Sequence, residues 1–221
     1  MIKKLLFLFV LIAIFLAFVP QLAKPSSTLK TVFRLTEQPA VIVKGIQGSA
    51  LTINISFGEK EVEELLENLS QPYPLLFIDS DWASRFPHIT EKIKQRSLPV
   101  ALLGTEGQQY ESDSNLLSEQ LQTFEELFSM RPLWFRTTDE EFPLTLLQEL
   151  NEAEINALGS TVHWSGGTLP KAAKGEIIAV PYAQNEHVAI ADIQRLIASR
   201  TFQSVEDLLF QSTVKTKKIP Q

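Results

Sequence analysis

Between residues 41 and 212 the apolar positions switch repeatedly between a period of two and a period near 3.6. Leu51, Ile53 and Ile55 alternate with Thr52, Asn54 and Ser56, which predicts a strand over Ala50 to Ser56. Val62, Leu65, Leu66 and Leu69 then fall on one helical stripe. Leu75 to Ile78 is a short apolar run that reads as a buried strand. Trp82 to Gln95 predicts a helix in which Pro87 must sit at a break or a first turn. Val100 to Leu103 is the next strand. Leu117, Leu121, Phe124 and Phe128 mark a helix over Leu116 to Phe128, with Ser114 or Asn115 as its cap. Leu133 to Phe135 is strand-like, and Pro143 opens a helix through Leu150. Ile155 to Leu158 and Glu176 to Val180 read as strands. Val188 to Ala198 is helical, and Ser204 caps a last helix through Phe210. Such alternation predicts an α/β fold with a mainly parallel sheet, right-handed crossovers and ligands at the carboxyl ends of the strands.

The start of the chain has a different pattern. Lys3 and Lys4 precede an unbroken apolar run from Leu5 to Val19, closed by Pro20. No polar face exists in it, so it is not a soluble amphipathic helix. With Leu22 and Ala23 at the far interface it approaches spanning length, and residues 1–23 read as a membrane anchor or a signal segment. An uncleaved anchor is preferred because Gln21 stands where a cleavage site wants a small residue. Lys3 and Lys4 suggest an N-in orientation with the domain on the extracytoplasmic side, although Lys24, Lys30 and Arg34 weaken that signal. Secretion after cleavage is the alternative. Residues 24–40 read as a linker, 41–212 as the folded domain and 213–221 as a basic tail with Lys215, Lys217 and Lys218.

Composition narrows the partners. A formal charge of -6, with acidic residues spread along the chain, argues against nucleic acid. The absence of cysteine excludes disulfides, thiolate metal sites and lipid attachment through an N-terminal Cys. No glycine-rich phosphate loop, nucleophile elbow or Ser/His/Asp arrangement is present.

Three segments in order carry a family resemblance. Leu51-Thr-Ile-Asn-Ile-Ser-Phe-Gly58 is followed by a helix ending Leu65-Leu66-Glu-Asn-Leu69. Pro74-Leu-Leu-Phe-Ile-Asp-Ser-Asp-Trp-Ala-Ser-Arg-Phe-Pro87 comes next. Leu121 to Arg136 ends Met130-Arg-Pro-Leu-Trp-Phe-Arg136. Over about Val41 to Ala198 the chain resembles the polysaccharide deacetylase (NodB-homology) family and is similar to members from spore-forming Gram-positive bacteria. The resemblance implies an incomplete (β/α) barrel. It also implies metal-assisted hydrolysis of an acetyl group. One Asp and two His would hold a divalent metal such as zinc, a second Asp would act as base and a late His as acid.

The positions matching those groups carry other residues. The paired Asp corresponds to Asn54 and Ile55, the His pair to Leu103 and Gly107, and the late His motif to Pro181 and Tyr182. The chain has three histidines, His88, His163 and His187, and none lies in the His-pair region. The resemblance therefore predicts a pseudoenzyme without cofactor that binds a cell-wall glycan or an envelope protein. Two other readings stand beside it. One is an active deacetylase with a metal site rebuilt from His163, His187, Asp79 and Asp81. The other is an assembly module whose old groove is filled by Leu103, Pro181 and Tyr182.

The remaining candidates have bland and functional readings. Trp164 either stacks on a sugar or is a rim or core aromatic. Arg136 either faces the groove or makes a structural salt bridge. Asp79 and Asp81 lie at a strand's carboxyl end, where a helix cap is the simpler role. Asp139, Glu140 and Glu141 either bind a cation weakly or, more simply, form an acidic first turn on the helix dipole. His187 is exposed or capping, and His88 lies on a helix surface.

Overall fold

The structure, a computed structural model, describes residues 35–36 and 38–210. The apolar run of residues 1–23, most of the 24–40 linker and the basic tail lie outside the described residues. Among the described residues no helix is long and apolar enough to cross a membrane.

Eight strands are described: β1 (Val41–Ile42), β2 (Ser49–Ile55), β3 (Leu75–Asp79), β4 (Val100–Leu103), β5 (Trp134–Arg136), β6 (Asn156–Leu158), β7 (Val162–His163) and β8 (Glu176–Tyr182). They form one sheet in the order β1-β6-β5-β4-β3-β2-β8-β7, with every pairing parallel. The two edges are linked beyond their ladders. The Thr161 hydroxyl donates to the Val43 carbonyl at 2.7 Å, and the Gly45 N–H donates to the Gly175 carbonyl at 2.8 Å. The sheet is thus an incomplete barrel, as the family resemblance implied.

The strand period divides the core. Leu51, Ile53 and Ile55, with Leu76 and Ile78, join the layer beneath the helices. Ala50, Phe77, Ala101, Leu103, Trp134, Leu158 and Ile177 form a second cluster, which Val205 and Leu208 also join. Val205 and Leu208 belong to the last described helix, α8 (Val205–Phe210). The other described helices are α1 (Lys60–Glu67), α2 (Ser80–Arg85), α3 (Pro87–Gln95), α4 (Gly107–Ser112), α5 (Leu116–Phe128), α6 (Leu144–Glu152) and α7 (Ile190–Ala198).

Several expectations need correction. The helix expected over 82–95 is two helices. Pro87 opens α3, and Phe86 before it takes φ −122, ψ 62, outside the helical region that a residue before proline avoids. Asn115 stands at the N-cap of α5, but its side chain caps nothing there. Asp139, Glu140 and Glu141 are not a helical first turn, because α6 begins at Leu144 after Pro143. They brace a turn instead: the Gly107 N–H donates to both Asp139 carboxylate oxygens at 3.1 Å, and the Ser160 N–H donates to Glu140 Oε2 at 2.6 Å. Part of the linker belongs to the domain, since the Leu35 N–H donates to Asn156 Oδ1 and its side chain packs on the inner cluster.

Arg96 ties α1 to α3. Its guanidinium donates to the carbonyls of Leu66, in the last turn of α1, and of Leu69, just past its end. Gly175, where the chain enters β8, sits at φ +71 against Gly45, and an added Cβ would overlap the Gly45 carbonyl oxygen. Gly175→Ala should therefore lower stability by about 1–3 kcal/mol, seen as a reduced urea midpoint at unchanged slope.

Candidate functional site

The carboxyl ends of the strands form the floor of an open groove. Register puts Asn54 beside Pro181 and Leu103 beside Arg136. Above them lies a cavity of about 530 Å³, lined among others by Phe57, Arg85, Thr138, Asp139, His163 and the β8–α7 loop from Ala183 to Glu186. Leu103, Pro181 and Tyr182 also line it without filling it, which corrects the closed-groove reading.

Arg136 lies beneath this floor and is fully buried. Its Nε donates to the Leu158 carbonyl at 2.8 Å and Nη2 to the Gly159 carbonyl at 3.0 Å. Nη1 donates to Thr52 Oγ1 at 2.7 Å and to Asn54 Oδ1 at 3.0 Å. The guanidinium also stands 4.2 Å from the centre of the Phe77 ring. The nearest carboxylate is Glu140, 3.7 Å away. Burial pulls the Arg136 pKa down from its ordinary value to about 10, and the Glu140 charge partly opposes that shift. A buried cation is thus held mainly by neutral acceptors. Where the family resemblance places a carboxylate, Asn54 offers only an amide oxygen.

The other sequence candidates separate. His163, on β7, reaches the groove, where its Nε2 lies 3.2 Å from Glu186 Oε1. The Ser165 hydroxyl donates to that same oxygen. Together with His163 it holds the Glu186 carboxyl below its ordinary range, with the Ser165 bond the larger cause and desolvation opposing. Trp164 points the other way. It is 5% exposed and its indole N–H donates to the Thr168 carbonyl at 3.0 Å, so it is a core residue and not a sugar platform. Asp79 caps α2 by accepting from the Trp82 N–H at 2.6 Å. Burial pushes its carboxyl up, and that hydrogen bond partly offsets the shift. Asp81 is exposed on α2. Neither Asp79 nor Asp81 lines the groove. His187 is exposed beside Tyr182, and His88 lies 3.7 Å from Glu59.

A metal of the family type does not fit these positions. Zinc wants imidazole, carboxylate or thiolate donors. The matching positions hold an amide (Asn54), alkyl or ring carbons (Leu103, Pro181), no side chain (Gly107) and Ile55, which packs in the layer beneath the helices. Among the described residues no three His, Cys, Asp or Glu side chains come together as metal ligands, so the structure does not assemble the rebuilt site.

Sequence reasoning missed Phe57, which is 43% exposed on the groove wall, and the polar run Gln184, Asn185 and Glu186. Position within the first motif pointed to Phe57. Nothing in the sequence pattern pointed to the loop.

The sequence matches no protein-family model and no curated protein. Solved structures do match the fold. A family 4 carbohydrate esterase (CE4) pseudoenzyme from Bacillus anthracis superposes with a TM-score of 0.63 at 14% identity, covering 77% of this chain and 69% of its own. A family 4 carbohydrate esterase from Bacillus subtilis gives 0.65 at 12%, covering 80% and 87%. The chitin deacetylase of the fungus Colletotrichum lindemuthianum gives 0.62 at 14%, covering 81% and 96%. The chain has the fold of the CE4 polysaccharide deacetylases.

Proposed function

We propose that this chain is a non-catalytic domain of deacetylase fold, tethered to the membrane through residues 2–23 and facing the extracytoplasmic side, that holds a cell-wall glycan in its groove. One observation carries the reading. The groove stays open, at about 530 Å³, while Asn54, Leu103 and Pro181 line it where metal ligands and proton carriers would be needed. A pocket of this size lies in the range of small-ligand sites. Phe57 supplies an exposed ring for a sugar face, and Gln184 and Asn185 supply amides for its hydroxyls.

The test is a pair of measurements on the full-length chain with zinc supplied. Acetate release from N-acetylated chitooligosaccharide and peptidoglycan fragments should stay at background. A panel of wall-glycan fragments, N-acetylated and not, should include ligands whose affinity drops several-fold in Phe57→Ala. Acetate release together with stoichiometric bound zinc would overturn the non-catalytic reading. Affinity unchanged by Phe57→Ala, or no binding across the panel, would overturn the groove as the glycan site.

A further inference from the structure

The main groove does not end at its own walls. Phe57 and Arg85 also line a neighbouring cleft of about 280 Å³ with Glu59, Glu61, Trp82 and Phe86. Glu106 also lines a cleft of about 340 Å³ with Gln108, Gln109 and Asp113. The three spaces therefore adjoin through shared side chains. Together they offer room for several sugar rings and not for one alone.

The charge along this trough is one-sided. Glu59, Glu61, Glu106, Asp113, Asp139 and Glu186 line it, and Arg85 is the only lysine or arginine among its lining residues. Among the described residues no ion pair with Lys or Arg neutralises any of the six. Glu59 lies beside His88, Glu186 meets His163 and the neutral Ser165 hydroxyl, and Asp139 and Asp113 accept from backbone N–H groups. Concave walls concentrate such a field and favour a ligand carrying repeated positive charge. The exposed Phe57 ring between two of the spaces adds a flat apolar face, which suits a pyranose ring better than a flexible basic side chain.

Resting on the reading of the groove as a glycan site, we infer that the preferred ligand is an extended, de-N-acetylated amino-sugar polymer. Its ammonium groups meet the carboxylates and its rings cross Phe57. On this view the chain recognises the kind of product a deacetylase leaves behind. The polymer must be supplied by a separate reaction that removes N-acetyl groups.

Calorimetric titration of the full-length chain tests this at about pH 5.5, where amines are protonated and ordinary carboxylates are ionised. The probes are a glucosamine hexamer, a glucosamine dimer, an N-acetylglucosamine hexamer and hexalysine. The glucosamine hexamer should bind at least about tenfold tighter than the other three. Its affinity should fall several-fold on raising salt from about 50 to about 500 mM, as the Debye length shrinks. Glu59→Gln with Glu106→Gln should lower its affinity several-fold and leave the N-acetylated hexamer unaffected. An N-acetylated hexamer that binds as tightly or tighter overturns this inference while leaving the glycan groove intact. Failure of every sugar overturns both. Hexalysine binding as tightly as the glucosamine hexamer reduces the site to bare charge, and an equally tight dimer overturns the extended trough.

Discussion

Replacing Arg136 with alanine should lower the unfolding free energy by about 3–5 kcal/mol, more than any substitution on the groove surface. The side chain fills the barrel interior and donates to two carbonyls, one hydroxyl and one amide oxygen. Removing it leaves a cavity and strips the Leu158 and Gly159 carbonyls of these donors. Unpaired buried acceptors cost about 1–3 kcal/mol each before relaxation, which is why the loss exceeds an ordinary truncation. Arg136→Met keeps much of the volume and removes the desolvated charge, so it should cost less than alanine. Asn54→Ala and Arg136→Met should not add in a double-mutant cycle, because each removes the same hydrogen bond. Urea unfolding of the four proteins of the cycle and of Arg136→Ala measures this. Additivity, or a loss below about 1 kcal/mol for Arg136→Ala, would mean the interior tolerates an unfilled guanidinium site.

The second large effect lies at the other end of the barrel. Glu176 opens β8, is fully buried, and accepts from the Ser49 hydroxyl at 2.7 Å, the Ala173 N–H at 3.0 Å and Arg200 Nη1 at 2.6 Å. Arg200 also donates to the Pro170 carbonyl. Arg200→Ala leaves a buried carboxylate without its cation, which should cost about 3–5 kcal/mol. Glu176→Gln should cost less, about 1–3 kcal/mol, because an amide oxygen still accepts and the Arg200 side chain, 10% exposed, can turn toward water. The order of the two unfolding midpoints decides the matter. A larger loss for Glu176→Gln would show that the cation, not the anion, is the costly group to strand.

Much of this fold is legible in the sequence because the strands and helices bury one face each. β4 and α5 fall where Val100 to Leu103 and the Leu117, Leu121, Phe124, Phe128 stripe put them. β1 and β7 escape notice because two residues are too few to show a period. α4 escapes because Gly107 to Ser112 carries a single apolar residue, Tyr110. The site is less legible, for a different reason. The replaced positions Asn54, Leu103 and Pro181 could be found from the motifs, and they do reach the groove. Past the last ladder residue, however, side-chain direction no longer follows the strand period. Trp164 turns into the core to bond Thr168, whereas Phe57, two residues beyond β2, turns outward. Arg136 was legible as a candidate but not as a buried one. Its place inside the barrel depends on acceptors from β2 and from the end of β6, which sequence spacing does not bring together.

The ladders on either side of the groove are unequal, and this bears on what can give way when a ligand enters. β2 pairs with β8 along seven residues and with β3 along four, whereas β7 holds β8 through two. Local opening starts where few hydrogen bonds and little buried surface resist it. Asn54 and Phe57 therefore stand on or next to the stiffest part of the sheet, and His163 on one of its loosest. Were the proposed groove to take a ligand wider than itself, the His163 and Glu186 wall is the side with the shorter ladder to resist displacement, and the Phe57 side the one with the longer.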